Sequence, residues 1–158
     1  ENLTAARNRR LNWHDYAVLR HQTHDRLQDD TEKVLADHHV SFHADISELK
    51  DALADNLDTP RALRTVDQAF AKIDGVPLDH VHHSSFEEFI ATIDELLGLQ
   101  IESNTPDIDD DIKQRIIERE RAREAKDWKM SDKLRDALLA RGVAIKDTVG
   151  GTIWTYTR

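Results

Sequence analysis

Phe42, Ile46, Leu49, Leu53 and Leu57 recur at spacings of four, three, four and four, which puts five apolar side chains on one face of a helix. No other stretch of the chain commits its fold so clearly. Leu63, Val66, Phe70 and Ile73 form a second stripe. It opens at Asp58-Thr59-Pro60, where Thr59 is a plausible N-cap and Pro60 suits the first helical position, and it stops at Gly75-Val76-Pro77. A third stripe, Phe86, Phe89, Ile90, Ile93 and Leu97, follows the capping-box pattern Ser85-Phe86-Glu87-Glu88 and ends at Gly98. Upstream, Trp13 to about Leu35 contains neither Gly nor Pro and suits one long helix or two shorter ones. The expectation is a mainly α fold whose first domain, residues 1–104, is an antiparallel helical bundle.

After the linker Ser103-Asn104-Thr105-Pro106 the pattern changes. Asp107, Asp109, Asp110 and Asp111 suit the first turn of a helix, where the macrodipole favours anions. Ile108, Ile112, Ile116, Arg119 and Arg123 continue it. A second helix is expected from about Lys129 to Arg141 on Met130, Leu134, Ala137 and Leu138, with Gly142 as its C′ residue. Val143 to Lys146 and Thr152 to Tyr156, separated by Thr148-Val149-Gly150-Gly151, predict a terminal β-hairpin. Residues 105–158 therefore read as a small α/β domain of two helices and a hairpin.

Charge separates the same two regions. Residues 1–106 hold 10 Lys/Arg against 20 Asp/Glu, whereas Lys113 to Lys146 holds 11 basic residues against 6 acidic. Only that basic segment suits a polyanion. The 158 residues contain no cysteine, so disulfides and thiolate metal sites are excluded within them, in keeping with a cytosolic origin. No apolar run approaches the ~20 residues of a membrane span. Glu1-Asn2-Leu3-Thr4 lacks an initiating Met and reads as the interior of a longer protein.

The nine histidines are His14, His21, His24, His38, His39, His43, His80, His82 and His83. His39 with His43, or the cluster at 80–83, could in principle meet a zinc ion, but no carboxylate or thiolate spacing completes either set, and no metal is expected in this chain. Lys129-Met130-Ser131-Asp132-Lys133 stands two letters from the Lys-Met-Ser-Lys-Ser loop with which one class of aminoacyl-tRNA synthetases holds ATP. Asp132 would repel a phosphate, and Met130 with Leu134 reads as a helical core pair, so the likeness is a coincidence.

The surrounding residues carry a different likeness. Arg121-Ala122-Arg123-Glu124-Ala125-Lys126-Asp127-Trp128, Ser131-Asp132, Leu134-Arg135-Asp136, Gly142-Val143, Ile145-Lys146-Asp147 and Gly151-Thr152-Ile153-Trp154 closely resemble the C-terminal end of bacterial cysteinyl-tRNA synthetases. Leu57-Asp58-Thr59-Pro60-Arg61-Ala62-Leu63 resembles a helix start in that family's DALR-type helical domain. The resemblance covers roughly residues 50–158. Ser131 departs from a small apolar residue and Asp58 from Asn.

The resemblance implies a tail that reads the GCA anticodon of cysteine tRNA and a longer parent whose N-terminal catalytic domain uses ATP and zinc. The motifs of that domain are not in this sequence, so residues 1–158 are expected to be non-catalytic. Carried over position by position, the anticodon-reading residues are Arg123, Trp128, Asp132 and Asp147. Their chemistry suits splayed loop bases: Trp128 offers a stacking face, Arg123 a planar fork, and the two carboxylates accept from base edges. Each also has a plainer role, as a core plug at Trp128, a solvated Arg123, an N-cap or ion pair at Asp132, and a turn residue at Asp147. Trp154 and Tyr156 are assigned to packing. Two other readings stay open, a helical adaptor that binds a protein partner and the tail of the related ligase that joins cysteine to an amino-sugar inositol.

Overall fold

The computed structural model describes residues 2–23 and 40–158. The chain divides into two units, Glu1–Thr105 and Pro106–Arg158. In the first, α1 (Leu3–Ala17) starts well before Trp13, because the Asn2 side chain caps it by accepting from Ala5 N at 2.9 Å. A 3₁₀ turn, Val18–Gln22, follows. The part of the expected Trp13–Leu35 helix beyond residue 23 lies outside the described residues, as do His24, His38 and His39.

The clearest stripe forms α2 (His43–Ala54), but Leu57 is not on it. Asn56 and Leu57 take left-handed backbone angles, φ 52° and 57°, which end the helix and leave Leu57 72% exposed. In α3 (Thr59–Ala71) the cap is Asp58 and not Thr59. The Asp58 carboxylate accepts from Arg61 N at 3.1 Å, while the Thr59 hydroxyl donates back to Leu57 O. In α4 (His83–Leu97) the expected Ser85 cap is displaced by His82, whose Nδ1 accepts from Ser85 N at 3.3 Å. Ser85 is buried inside the first turn. Gly98 ends α4 at φ 64°, as its position suggested. A last turn, α5 (Ile101–Asn104), occupies much of the expected linker.

The four phenylalanines of the chain meet in this unit. Phe42 stacks on Phe86 and Phe89 at 4.8 and 5.1 Å, and Phe70 meets both edge-on. Such clusters dominate the energetics of small cores. Trp13 and Tyr16 from α1 close over Phe70. Their polar tips are satisfied, Trp13 Nε1 donating to Asp67 at 2.7 Å and the Tyr16 hydroxyl to Asp74 at 2.7 Å.

The second unit is a helical hairpin with a β-hairpin. The first helix, α6 (Asp110–Glu124), carries Asp110 and Asp111 in its first turn and ends at Lys126, which holds φ 58°. Lys126 N–H donates to Arg123 O and Asp127 N–H to Ala122 O, the paired bonds of a Schellman motif with lysine where glycine is usual. Asp127 at once caps α7 (Trp128–Ala140), accepting from Met130 N at 3.0 Å. The buried stripe of α7 is Ser131, Leu134 and Leu138; Met130, expected in the core, is 44% exposed. Gly142, at φ 80°, turns the chain into β1 (Val143–Thr148), which pairs antiparallel with β2 (Gly151–Tyr156) through a two-residue turn. Among the described residues no helix is long and apolar enough to cross a membrane.

Candidate nucleic-acid interface

Strand alternation puts Val143, Ile145 and Asp147 on one face of β1, with their partners Tyr156, Trp154 and Thr152 on β2. Val143 and Trp154 on that face are buried, so the same pleat that builds the small core puts Asp147 on the core side of the hairpin, near its exposed end. There the carboxylate meets three arginines. Arg119, on the buried stripe of α6, donates from Nη1 to Oδ1 at 3.0 Å and from Nη2 to Oδ2 at 2.8 Å, a bidentate pair. Arg123, one turn later, reaches Oδ2 at 3.0 Å, and Arg135 of α7 lies 3.7 Å from it. The Thr152 hydroxyl donates to Oδ1 at 3.1 Å.

The hydrogen bonds from Arg119 pull the Asp147 carboxyl down to about 2, against the upward pull of partial burial and with help from Thr152 and the arginine charges. The same bonds hold the Arg119 guanidinium above its ordinary pKa, and the charge of Asp132 contributes in that direction. Asp147 is thus a carboxylate at any physiological pH, and the cluster keeps an excess of positive charge.

The Arg123 guanidinium also lies over the Trp128 ring, 5.9 Å from its centroid. Trp128, first residue of α7, is 56% exposed, so it is not the core plug of the plainer reading. Asp132 follows it by one turn on the same helix, is exposed, and is not the cap, since Asp127 takes that role. The structure therefore brings Arg123, Trp128 and Asp147 into one cluster, with Asp132 one turn from Trp128 and within electrostatic reach of Arg119. Two members were not anticipated from sequence, Arg119 and Arg135. Arg119 was legible as part of the Ile108, Ile112, Ile116 stripe, because an arginine on a buried stripe demands an acidic partner.

In the first unit, a pocket of about 270 Å³ is lined by Arg20, Glu87, Glu88, Ile90, Ala91 and Glu102. Its three glutamates disfavour a polyanion. Arg20 there donates to Ala17 O, Glu102 O and both Thr105 oxygens, a structural role. Among the described residues no three His, Asp or Glu side chains are grouped to hold a metal ion.

The profile of the cysteinyl-tRNA ligase anticodon binding domain matches residues 105–154. The cysteine–tRNA ligase of Leptospira interrogans is 35% identical over 112 residues, covering 68% of this chain and 24% of the relative. That of Lachnoclostridium phytofermentans is 32% identical over 122 residues, 72% of this chain and 25% of the relative. The enzyme of Laribacter hongkongensis is 49% identical over 45 residues, 28% of this chain and 10% of the relative. The chain spans about a quarter of the length of the first two relatives. With the motifs of its tail, the profile match over that tail and these relatives in agreement, the chain belongs to the cysteinyl-tRNA synthetase family and carries that family's anticodon-binding domain.

Proposed function

We propose that the second unit reads the GCA anticodon of cysteine tRNA through Arg123, Trp128, Asp132 and Asp147. Residues 1–104 then form the helical domain and residues 105–158 the anticodon-binding domain of a longer cytoplasmic cysteine–tRNA ligase. The N-terminal catalytic domain of that parent is a partner of this chain, and it supplies the ATP and zinc chemistry of cysteinylation. The observation that carries this reading is the exposed Trp128 ring beside the Arg123 guanidinium. An unstacked base finds there both an aromatic face and a planar cationic fork. The adaptor reading, a protein partner bound by the acidic bundle, has no comparable cluster of exposed aromatic and charged side chains to support it.

Stacking accepts any base and edge contacts do not. Trp128→Ala should therefore weaken binding to a GCA stem-loop and to one with a swapped triplet alike, by about 1–3 kcal/mol. Asp132→Asn, which turns one acceptor oxygen into a donor, should weaken the GCA stem-loop selectively, by about 1–3 kcal/mol. Titration of both RNAs at two salt concentrations checks this, with thermal melts as a fold control. Equal binding of the two RNAs by the unsubstituted chain, or unchanged binding by Trp128→Ala, would sink the reading.

A further inference from the structure

Arg119 is the odd member of the cluster. Its side chain is 0% exposed, against 39% for Arg123 and 43% for Arg135. Its Nε is buried with no hydrogen-bond partner, so the guanidinium is aimed end-on at Asp147 and leaves one donor unsatisfied to do so. Burying an arginine on an apolar stripe costs several kcal/mol of desolvation, and an apolar side chain of similar volume is often as stable or more so. Stability alone does not explain an arginine here. A bidentate fork does one thing an apolar residue cannot, which is to fix the plane and ionisation of a carboxylate.

The carboxylate it fixes is crowded by donors and cations. Oδ1 accepts from Arg119 Nη1 and Thr152 Oγ1, and Oδ2 accepts from Arg119 Nη2 and is ion-paired with Arg123 Nη1 at 3.0 Å, with Arg135 close by. A base N–H that takes Oδ2 competes there with the Arg123 and Arg135 guanidinium groups. Arg119 has no exposed length with which to leave, whereas Arg123 and Arg135 do.

Resting on the anticodon reading above, we propose that Arg119 is a positioning residue for RNA recognition: without touching RNA, it holds Asp147 with Oδ2 toward Arg123, Arg135 and Trp128, where a base N–H displaces Arg123. In the free protein Arg123 and Arg135 are placeholders on that oxygen. On binding, an amino or imino N–H of guanine or cytosine takes Oδ2, and the released guanidinium turns to a base edge or phosphate. The exchange moves hydrogen bonds and ion pairs only; no covalent bond or proton changes owner. Arg119 stays bound throughout.

The test uses the 158-residue chain and two anticodon stem-loops, GCA and a swapped triplet, at two salt concentrations. Arg119→Lys keeps the charge but loses the fork. It should lower the ratio of the two affinities by roughly tenfold, and leave the salt dependence as it was, because no phosphate contact is lost. Thr152→Val removes the other Oδ1 donor from the surface and should move the ratio the same way by a smaller factor. Asp147→Asn should lower the ratio by itself, and adding Arg119→Lys to it should change nothing further, since the effect runs through that carboxylate.

An unchanged ratio in Arg119→Lys overturns the proposal, as does equal weakening of both RNAs or a flattened salt dependence, the mark of direct phosphate contact. Should Arg119→Lys not fold, Thr152→Val decides, and an unchanged ratio there overturns the proposal equally. If the unsubstituted chain does not discriminate, the anticodon reading fails and this proposal with it. If it discriminates, Asp147→Asn lowers the ratio and Arg119→Lys retains it, this proposal alone fails.

Discussion

Asp147 stands one residue before the end of a short strand, yet its ionisation reports on the whole cluster. Its folded pKa of about 2 lies below the ordinary 3.8, so pairing contributes stability that is complete above about pH 4 and is lost as pH falls through 2. Asp147→Asn should therefore melt below the unsubstituted chain by a constant margin from pH 5 to 8, and the margin should shrink between pH 4 and 2. Thermal melts across that range check it; a margin that widens in acid would mean that the carboxylate is not held ionised by its arginines. Deleting the side chain outright is a poorer probe, because it takes away every acceptor of buried Arg119 as well as its counter-charge.

At the scale of elements, the costliest backbone lies where helices end. Leu57 holds φ 57° in a non-glycine residue with its side chain largely in water, so Leu57→Gly relieves strain without removing core contacts. The variant should be more stable by about 1 kcal/mol, measurable as an upward shift in the denaturant midpoint; a lower midpoint would mean that the exposed side chain contributes more than the backbone strain costs. Helix existence and the terminal hairpin were legible in sequence because stripes, caps and turn residues agreed. Terminal details were less so. Asp58 and Thr59 are both good caps, and only geometry chooses between them. His82 is not a usual cap, so Ser85 looked better from sequence. In α7 the buried stripe passes through small Ser131, whereas a search for apolar residues selects exposed Met130. Arg123, Trp128, Asp132 and Asp147 were marked by motif resemblance. Arg119 and Arg135 were not assigned to the site, because a stripe position and a motif letter mark the residue without naming its long-range partner Asp147.

Over the whole molecule there are two separate hydrophobic centres, one around Phe42, Phe70, Phe86 and Phe89 and one around Leu138, Val143 and Trp154. Phe89→Ala should cost about 3–5 kcal/mol and Leu138→Ala about 2–5 kcal/mol. In calorimetry each should lower a different one of two transitions. A single transition that both variants lower together would mean that the units unfold as one. The charge split gives the same division a functional sense, since the proposed RNA contact falls on the unit without the strong acidic excess. Its aim depends on the two-residue turn at Val149-Gly150, because that turn fixes Asp147 opposite Thr152 and on the inner face. Insertion or loss of one codon upstream in β1 would leave composition almost untouched and turn every following side chain of the strand over. Lys146 or Thr148 would then stand where Asp147 belongs; with lysine there, three arginines would face a fourth cation, and the clasp that gathers them would become a wedge.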